Sequence, residues 1–247
     1  MHNMKEILIL IPAYNEEKNL PGVLQQLKDL PFFPELDILV INDCSSDRTA
    51  EVARAWGCKV ISHVMNMGYG MALQTGYKYA VEKGYKYLIQ MDGDGQHMIS
   101  NVDYLYKRIR KGNLPDLLLG SRFLPESGPY HMSKVRRDTI RFFSSIIKCI
   151  TKKKITDPTS GLQLLNQSLF TYYSKYQNFD PKYPDANMII RILLYGFEVE
   201  EFPAQMQNRF SGESMHSGLK PVMYMLQMSI SMLIITARVH HRQRHGE

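Results

Sequence analysis

The apolar run Tyr87 to Met91 opens directly onto Asp92-Gly93-Asp94-Gly95-Gln96-His97. Alternation of Asp92, Asp94 and Gln96 offers two carboxylates and an amide oxygen to one side of an extended segment, the hard-oxygen set that Mg²⁺ or Mn²⁺ takes. The interleaved glycines let a large anion come close to the backbone. A divalent ion held there would offset charge on a departing phosphate group. The same Asp-Gly-Asp-Gly is also an ordinary polar turn, and on the motif alone both readings stand. A calcium loop does not fit, because the sixth position counted from Asp92 is His97 and not glycine.

A second carboxylate site lies in Val40-Ile41-Asn42-Asp43-Cys44-Ser45-Ser46-Asp47, again an apolar run leading into a turn and then a helix. A carboxylate at a strand end can accept from a ring N–H of a nucleobase, and Asp43 is the candidate for that. Asp47 is expected to cap the helix that follows.

These residues need a frame that delivers them to one place. Short apolar runs at Ile7 to Ile11, Asp37 to Ile41, Tyr87 to Met91 and Leu117 to Gly120 alternate with helical stretches beginning near Glu16, Asp47, Tyr69 and Asn101. Such alternation predicts an α/β fold with a mostly parallel sheet covered by helices on both faces, in which ligands sit beyond the C-terminal ends of the strands. Beyond Arg122 the pattern loosens into Pro125, Gly128 and Pro129, a long helix from Ser133 to about Thr151, and the turn Asp157-Pro158-Thr159-Ser160-Gly161. No stretch has a linker's composition, so residues 1–218 are expected to form one domain with a first half at 1–122 and a second at 123–218, followed by a C-terminal helix and basic tail at 219–247.

Composition bounds the rest. The chain has 247 residues and three cysteines, with no disulfide framework, which points to a reducing, cytoplasmic compartment. The formal charge of +6 is concentrated at 134–154 and 238–244, which implies two basic surfaces. No nucleic-acid module accompanies that charge, and no nucleic-acid partner is expected.

Ile11-Pro12-Ala13-Tyr14-Asn15-Glu16-Glu17, the Asp43 segment, Asn66-Met67-Gly68-Tyr69-Gly70-Met71-Ala72, Asp92-Gly93-Asp94-Gly95-Gln96 and Gly120-Ser121-Arg122 follow one another in the order and spacing of glycosyltransferase family 2. The chain resembles in particular the branch of dolichyl-phosphate mannosyltransferase and the bacterial polyprenyl-phosphate glycosyltransferases, from Lys5 to about Ser217. That resemblance implies the GT-A fold, a nucleotide-diphosphate-sugar donor, a polyprenyl-phosphate or glycan acceptor, and inversion at the sugar. Carried over by position, Pro12, Tyr14, Glu16 and Asp43 would cradle the nucleoside. Asp92, Asp94 and Gln96 would bind the metal and diphosphate, while Arg122 and Arg209 would hold phosphate groups, a task suited to the planar, permanently charged guanidinium.

Two departures stand out. Tyr69 occupies a place where many relatives carry Lys, which removes a positive charge near the expected diphosphate. Asn187 stands where the mannosyltransferase branch has an acidic residue, with Asp185 two places earlier. A phosphate acceptor is already ionised near neutral pH and needs no strong base, whereas a saccharide hydroxyl does. Asp185 and Asp157 are the candidate catalytic carboxylates. For each a structural role is equally open, a helix-start carboxylate for Asp185 and a turn residue before Pro158 for Asp157.

Other function classes fit less well. A nucleotidylyltransferase would carry a Gly-rich basic loop after its first strand, where this chain has Pro12-Ala13-Tyr14-Asn15-Glu16. A non-catalytic nucleotide-sugar-binding or tethering partner is a further alternative, as is transfer to a saccharide hydroxyl in polysaccharide synthesis.

Two segments bear on the setting. Thr139, Phe142, Phe143, Ile146, Ile147 and Ile150 form an apolar stripe flanked by Lys134, Arg136, Arg137, Arg141, Lys148 and Lys152 to Lys154. Pro221 to Ala237 is uncharged but short of the roughly 20 residues that span hydrocarbon. Peripheral association with the cytoplasmic face of a membrane is the expectation, with a buried core helix, a homo-oligomer contact or a membrane-protein partner through 219–240 as the alternatives.

Overall fold

The computed structural model describes residues 5–130, 132–207 and 220–245. Strand β1 (Ile7–Ala13) is buried along its whole length. Its Ile and Leu residues suit that place, since a central parallel strand meets helices on both faces and so tolerates no polar alternation. Ile7, Ile9 and Ile11 enter one core, with α1 (Leu20–Lys28) and α4 (Ile99–Lys111), while Leu8 and Leu10 enter the other, with α3 (Tyr69–Glu82). The period-2 alternation of a strand thus feeds two apolar layers at once.

β1 pairs in parallel with β2 (Leu36–Asn42) on one side and β4 (Tyr87–Gln90) on the other. α2 (Thr49–Ala55) links β2 to the short edge strand β3 (Lys59–Ser62). Beyond β4 come β5 (Leu117–Ser121), α5 (Lys134–Thr151), β6 (Gln163–Asn166), α6 (Gln167–Ser174), α7 (Ala186–Leu194), β7 (Val199–Pro203) and α8 (Lys220–His245). The seven-stranded sheet runs β3-β2-β1-β4-β6-β5-β7. It is parallel apart from β6, which lies antiparallel between β4 and β5. The C-terminal ends of β1, β2 and β4 therefore share one edge with the N-terminal approach to β6, which is Ser160-Gly161.

The expected α/β architecture is present. α1 starts at Leu20 and not near Glu16, because the Glu16 carbonyl is spent closing a turn onto Asn19 and Leu20 and Pro21 then opens the helix. α5 matches its expected span, with the Ser133 hydroxyl accepting from Arg136 N. Its expected apolar stripe is split: Phe143 and Ile147 are buried and Phe142 faces outward. Residues 220–245 form a single helix that packs on α7 and touches α5, where the Thr139 hydroxyl meets Met225 Sδ at 3.3 Å. Among the described residues, no helix is long and apolar enough to cross a membrane.

Candidate active site

The loops after β1 and β2 clasp each other. Asn15 takes a left-handed conformation with φ 56°, and its side-chain carbonyl accepts from Ser46 N at 2.8 Å. Thr49 Oγ1 accepts from Glu16 N at 2.8 Å. Asp47 accepts from Glu17 N and Thr49 N and so holds the turn before α2, while the N-cap place it was expected to fill belongs to Arg48. Burial works to raise the Asp47 pKa, but these hydrogen bonds prevail and hold the carboxyl below its usual range.

Asp43 is buried and heavily engaged. Oδ1 accepts from Met67 N at 2.8 Å and faces His63 Nδ1 at 2.7 Å, and Oδ2 accepts from Gly68 N at 2.7 Å. It thereby fixes the loop that leads into α3, a role its expected contact with a nucleobase does not include. Pro12 is buried, Tyr14 is exposed, and Glu16 binds the Asn19 amide at 2.6 Å. Gly93 sits 3.6 Å from the Pro12 carbonyl and 3.9 Å from Glu16 Cγ, measured from where its Cβ would be. The structure thus sets Pro12 and Glu16 against the Asp92 loop.

That loop is held from two sides. Residues 205–207 run beside it, with Met98 N donating to Gln205 O, Gln207 N to Gln96 O and Gln207 Nε2 to Gly95 O. Asp94 is buried, and its Oδ1 accepts from Gln96 N at 3.0 Å, while the Gln96 amide reaches the Tyr130 hydroxyl at 3.3 Å. Asp92 stays partly open, its side chain 35% exposed. Its Oδ1 accepts from the Tyr69 hydroxyl at 3.1 Å, and Oδ2 lies 3.4 Å from His97 Nε2. A Cβ on Gly161 would stand 2.6 Å from Asp92 Oδ2, so only glycine allows that approach. Burial pushes the Asp92 pKa up, but His97, Tyr69 and the Arg122 charge together draw it below its usual range.

Gln90, His97 and Tyr69 are the members that sequence reasoning missed in these roles. Gln90 is buried, accepts from Tyr77 at 2.6 Å and donates to Gly161 O at 3.1 Å, which fixes the turn against Asp92. Its signal was one amide at the end of an otherwise apolar strand run. Tyr69 has an exposed ring edge, but its hydroxyl is turned in, and burial followed by the Asp92 charge raises its pKa well above the ordinary phenol value.

Arg122 and Asp157 form a buried pair. Nε meets Oδ2 at 2.6 Å and Nη2 meets Oδ1 at 2.8 Å. The Arg122 backbone N–H and the Thr159 hydroxyl also donate to Asp157. Four donors fill the four lone-pair sites of a carboxylate, so Asp157 has none left with which to take a proton from an acceptor. Glu201 on β7 supports the pair by accepting from Thr156 N and Asp157 N. Burial raises the Arg122 cost of charge, yet Asp157 outweighs it and lifts the guanidinium pKa above its usual value.

Asp185 stands at the N-cap of α7, where its charge suits the helix dipole, and its side chain makes no capping hydrogen bond. It lines a small cavity with Gln90, Gln163, Tyr77, Leu73 and Pro184. Its charge also acts on the Tyr69 hydroxyl. Arg209 lies outside the described residues. Among those described, no group of three or more His, Cys, Asp or Glu is placed to hold a metal ion by itself. A Mg²⁺ or Mn²⁺ bound through one or two carboxylates and substrate phosphates needs no such cage, and the partly open, ionised Asp92 beside Asp94 suits it.

The family model described as "Glycosyl transferase family 2" matches residues 8–173, which include every loop of this edge from Pro12 to Gly161. The chain belongs to glycosyl transferase family 2. It is 30% identical over 224 residues to the undecaprenyl-phosphate mannosyltransferase of Micrococcus luteus, covering 86% of this chain and 88% of that one. It is 28% identical over 233 residues to the polyprenol monophosphomannose synthase of Mycolicibacterium smegmatis, covering 85% and 81%. Glucosyl-3-phosphoglycerate synthase from Mycobacterium tuberculosis shares the fold with a TM-score of 0.69 at 17% identity, over 94% of this chain and 80% of that one. The same synthase has been crystallised with Mn²⁺ and UDP-glucose, with a TM-score of 0.63 to this chain. The chain is therefore a glycosyltransferase of GT-A fold.

Proposed function

We propose that this glycosyltransferase moves a sugar from a nucleotide-diphosphate-sugar to a polyprenyl phosphate, with inversion and with a divalent metal. The observation that carries the proposal is the partly open Asp92 carboxylate held between Tyr69, His97 and Gly161 at the C-terminal edge of the sheet, in a chain whose relatives are named for polyprenyl-phosphate acceptors.

Asp92, Asp94 and Gln96 would hold Mg²⁺ or Mn²⁺, which supplies positive charge to the diphosphate. Pro12, Tyr14, Glu16 and Asp43 line the nucleoside side. The Asp157 and Thr159 bonds use Nε and Nη2 of Arg122, so Nη1 would be the donor to a phosphate oxygen. An acceptor phosphate oxygen forms the new bond to the anomeric carbon as the bond to the nucleoside diphosphate breaks, and the leaving group keeps the electron pair. No proton need move, because the acceptor is already ionised. Asp157 serves as the positioning residue for Arg122.

A second reading, transfer to a saccharide hydroxyl, is favoured by Asp185, which lines the cavity and whose side chain makes no capping hydrogen bond. In that case Asp185 takes the hydroxyl proton. A panel of UDP- and GDP-sugars with Mn²⁺ or Mg²⁺, offered polyprenyl phosphate and then a free oligosaccharide, separates the two. Metal-dependent transfer to the lipid phosphate that survives Asp185→Asn supports the first; transfer only to the oligosaccharide, abolished by that variant, supports the second. No turnover with any pair would overturn both.

A further inference from the structure

α8 is apolar on two opposite faces. Met228, Met232, Ile235 and Val239 are buried in the core, following the spacing of one helix face. Leu226, Ile230, Leu233 and Ile234 follow the same spacing on the other face and are 57%, 56%, 62% and 45% exposed. Exposed Ala237 and Arg238 continue the row. An exposed apolar row from Leu226 to Ile234, about 12 Å long at 1.5 Å per residue, is not normal for a face open to water.

The neighbouring α5 supplies the charge. Residues 134–154 carry eight lysines and arginines against one acid, Asp138, which pairs with Arg141 at 3.7 Å. Lys134, Arg141 and Lys148 recur at seven-residue spacing and are exposed. Beside them on the helix run Val135 and Phe142, 63% and 47% exposed. An apolar row next to a basic row is the pattern that sinks side chains among acyl chains while lysine and arginine meet anionic headgroups. A protein partner would be matched by the apolar row alone; the dense positive charge beside it, with one acid, selects an anionic bilayer.

We propose that the outward faces of α8 and α5 form a monotopic docking surface for an anionic lipid bilayer. The inference rests on the lipid-phosphate acceptor only for its purpose. α8 is tied to the acceptor side of the site through a buried junction: Asn187 Nδ2 donates to Ser231 Oγ at 2.9 Å and to Asp180 Oδ2 at 2.7 Å, and Asn187 Oδ1 accepts from Asp185 N at 3.1 Å. Docking through α8 therefore holds the Asp180–Asp185 loop at a fixed relation to the bilayer surface.

The test is flotation of the full chain with vesicles of phosphatidylcholine alone and of phosphatidylcholine with phosphatidylglycerol. The protein is expected to float with the anionic vesicles and not with the neutral ones. Leu226→Ser, Ile230→Ser, Leu233→Ser and Ile234→Ser combined, or Arg141→Glu with Lys148→Glu, should each weaken binding by roughly tenfold or more. Both variants should melt as wild type does, since the altered side chains are exposed. Equal binding to both vesicle types, binding unchanged in both variants, or binding only to membranes that contain protein would overturn the proposal. So would a dimer in solution that the serine variant dissociates while vesicle binding persists. Transfer to a short-chain, water-soluble polyprenyl phosphate is measured alongside: its retention in the serine variant separates failure of docking from failure of the proposed reaction.

Discussion

Asp157 grips Arg122 through two parallel hydrogen bonds of 2.6 and 2.8 Å, with both side chains nearly sealed from solvent. The pair turns a flexible side chain into a fixed donor beside Asp92. Its carboxylate belongs to the arginine and not to the acceptor.

Asp157→Ala should cost stability of about 3–5 kcal/mol in urea unfolding, as expected when a buried ion pair loses one partner. Transfer should fall with it. A carboxylate acting only as a base would lower turnover and leave the unfolding midpoint in place, and that result would return Asp157 to the catalytic role.

Gly161→Ala places a methyl group against Asp92 Oδ2 where 2.6 Å is available. The neighbour is a carboxylate that must keep its orientation, so turnover is expected to drop by at least roughly tenfold, the scale of a small misplacement in a catalytic site. Mn²⁺ titration of the variant should show weakened metal dependence. Wild-type kinetics would show that the turn can retreat without cost.

Asp92 gives a pH signature in the metal-free protein. Its folded pKa is lowered, so its contribution to stability is present above the unfolded value near 3.8 and is lost as pH falls through the folded value. Wild type should therefore exceed Asp92→Asn in urea midpoint at pH 7 in EDTA, with the gap closing as the pH is taken below 3.8. A gap that widens in acid would contradict the assigned direction.

Tyr69→Phe removes the hydroxyl that Asp92 Oδ1 accepts from and should weaken metal-dependent donor binding, read as a raised donor KM. Tyr69→Lys adds a positive charge beside Asp92 and should lower donor KM relative to the Phe variant. Equal KM in all three proteins would remove Tyr69 from the donor site.

Much of this was legible from patterns with strong local causes. The unbroken apolar run at Ile7 to Ile11 can only be a strand covered on both faces or a buried helix, and Pro12 within two residues of its end argues for the strand. The Asp92 loop was visible because its carboxylates follow such a run. β6 and β7 were not expected, since Gln163–Asn166 and Val199–Pro203 are short and half polar, and only their neighbours make them strands. The Asp157–Arg122 pair joins residues 35 positions apart, which no local pattern reports. The stripe of α5 was legible, but not that Phe143 and Ile147 turn inward while Phe142 faces out, because helical spacing assigns a stripe but not its width.

The antiparallel strand β6 has a consequence for the chain as it leaves the ribosome. β4 pairs with β1, which precedes it in the chain, and its other edge is filled by Gln163–Asn166, which follows much later. Until about seventy further residues have emerged, that edge offers unmatched N–H and C=O groups to any passing strand. A nascent chain that stops short of β6 would carry that open edge as a target for chaperones or misassembly, and the same segment that fills it sets Gly161 against Asp92.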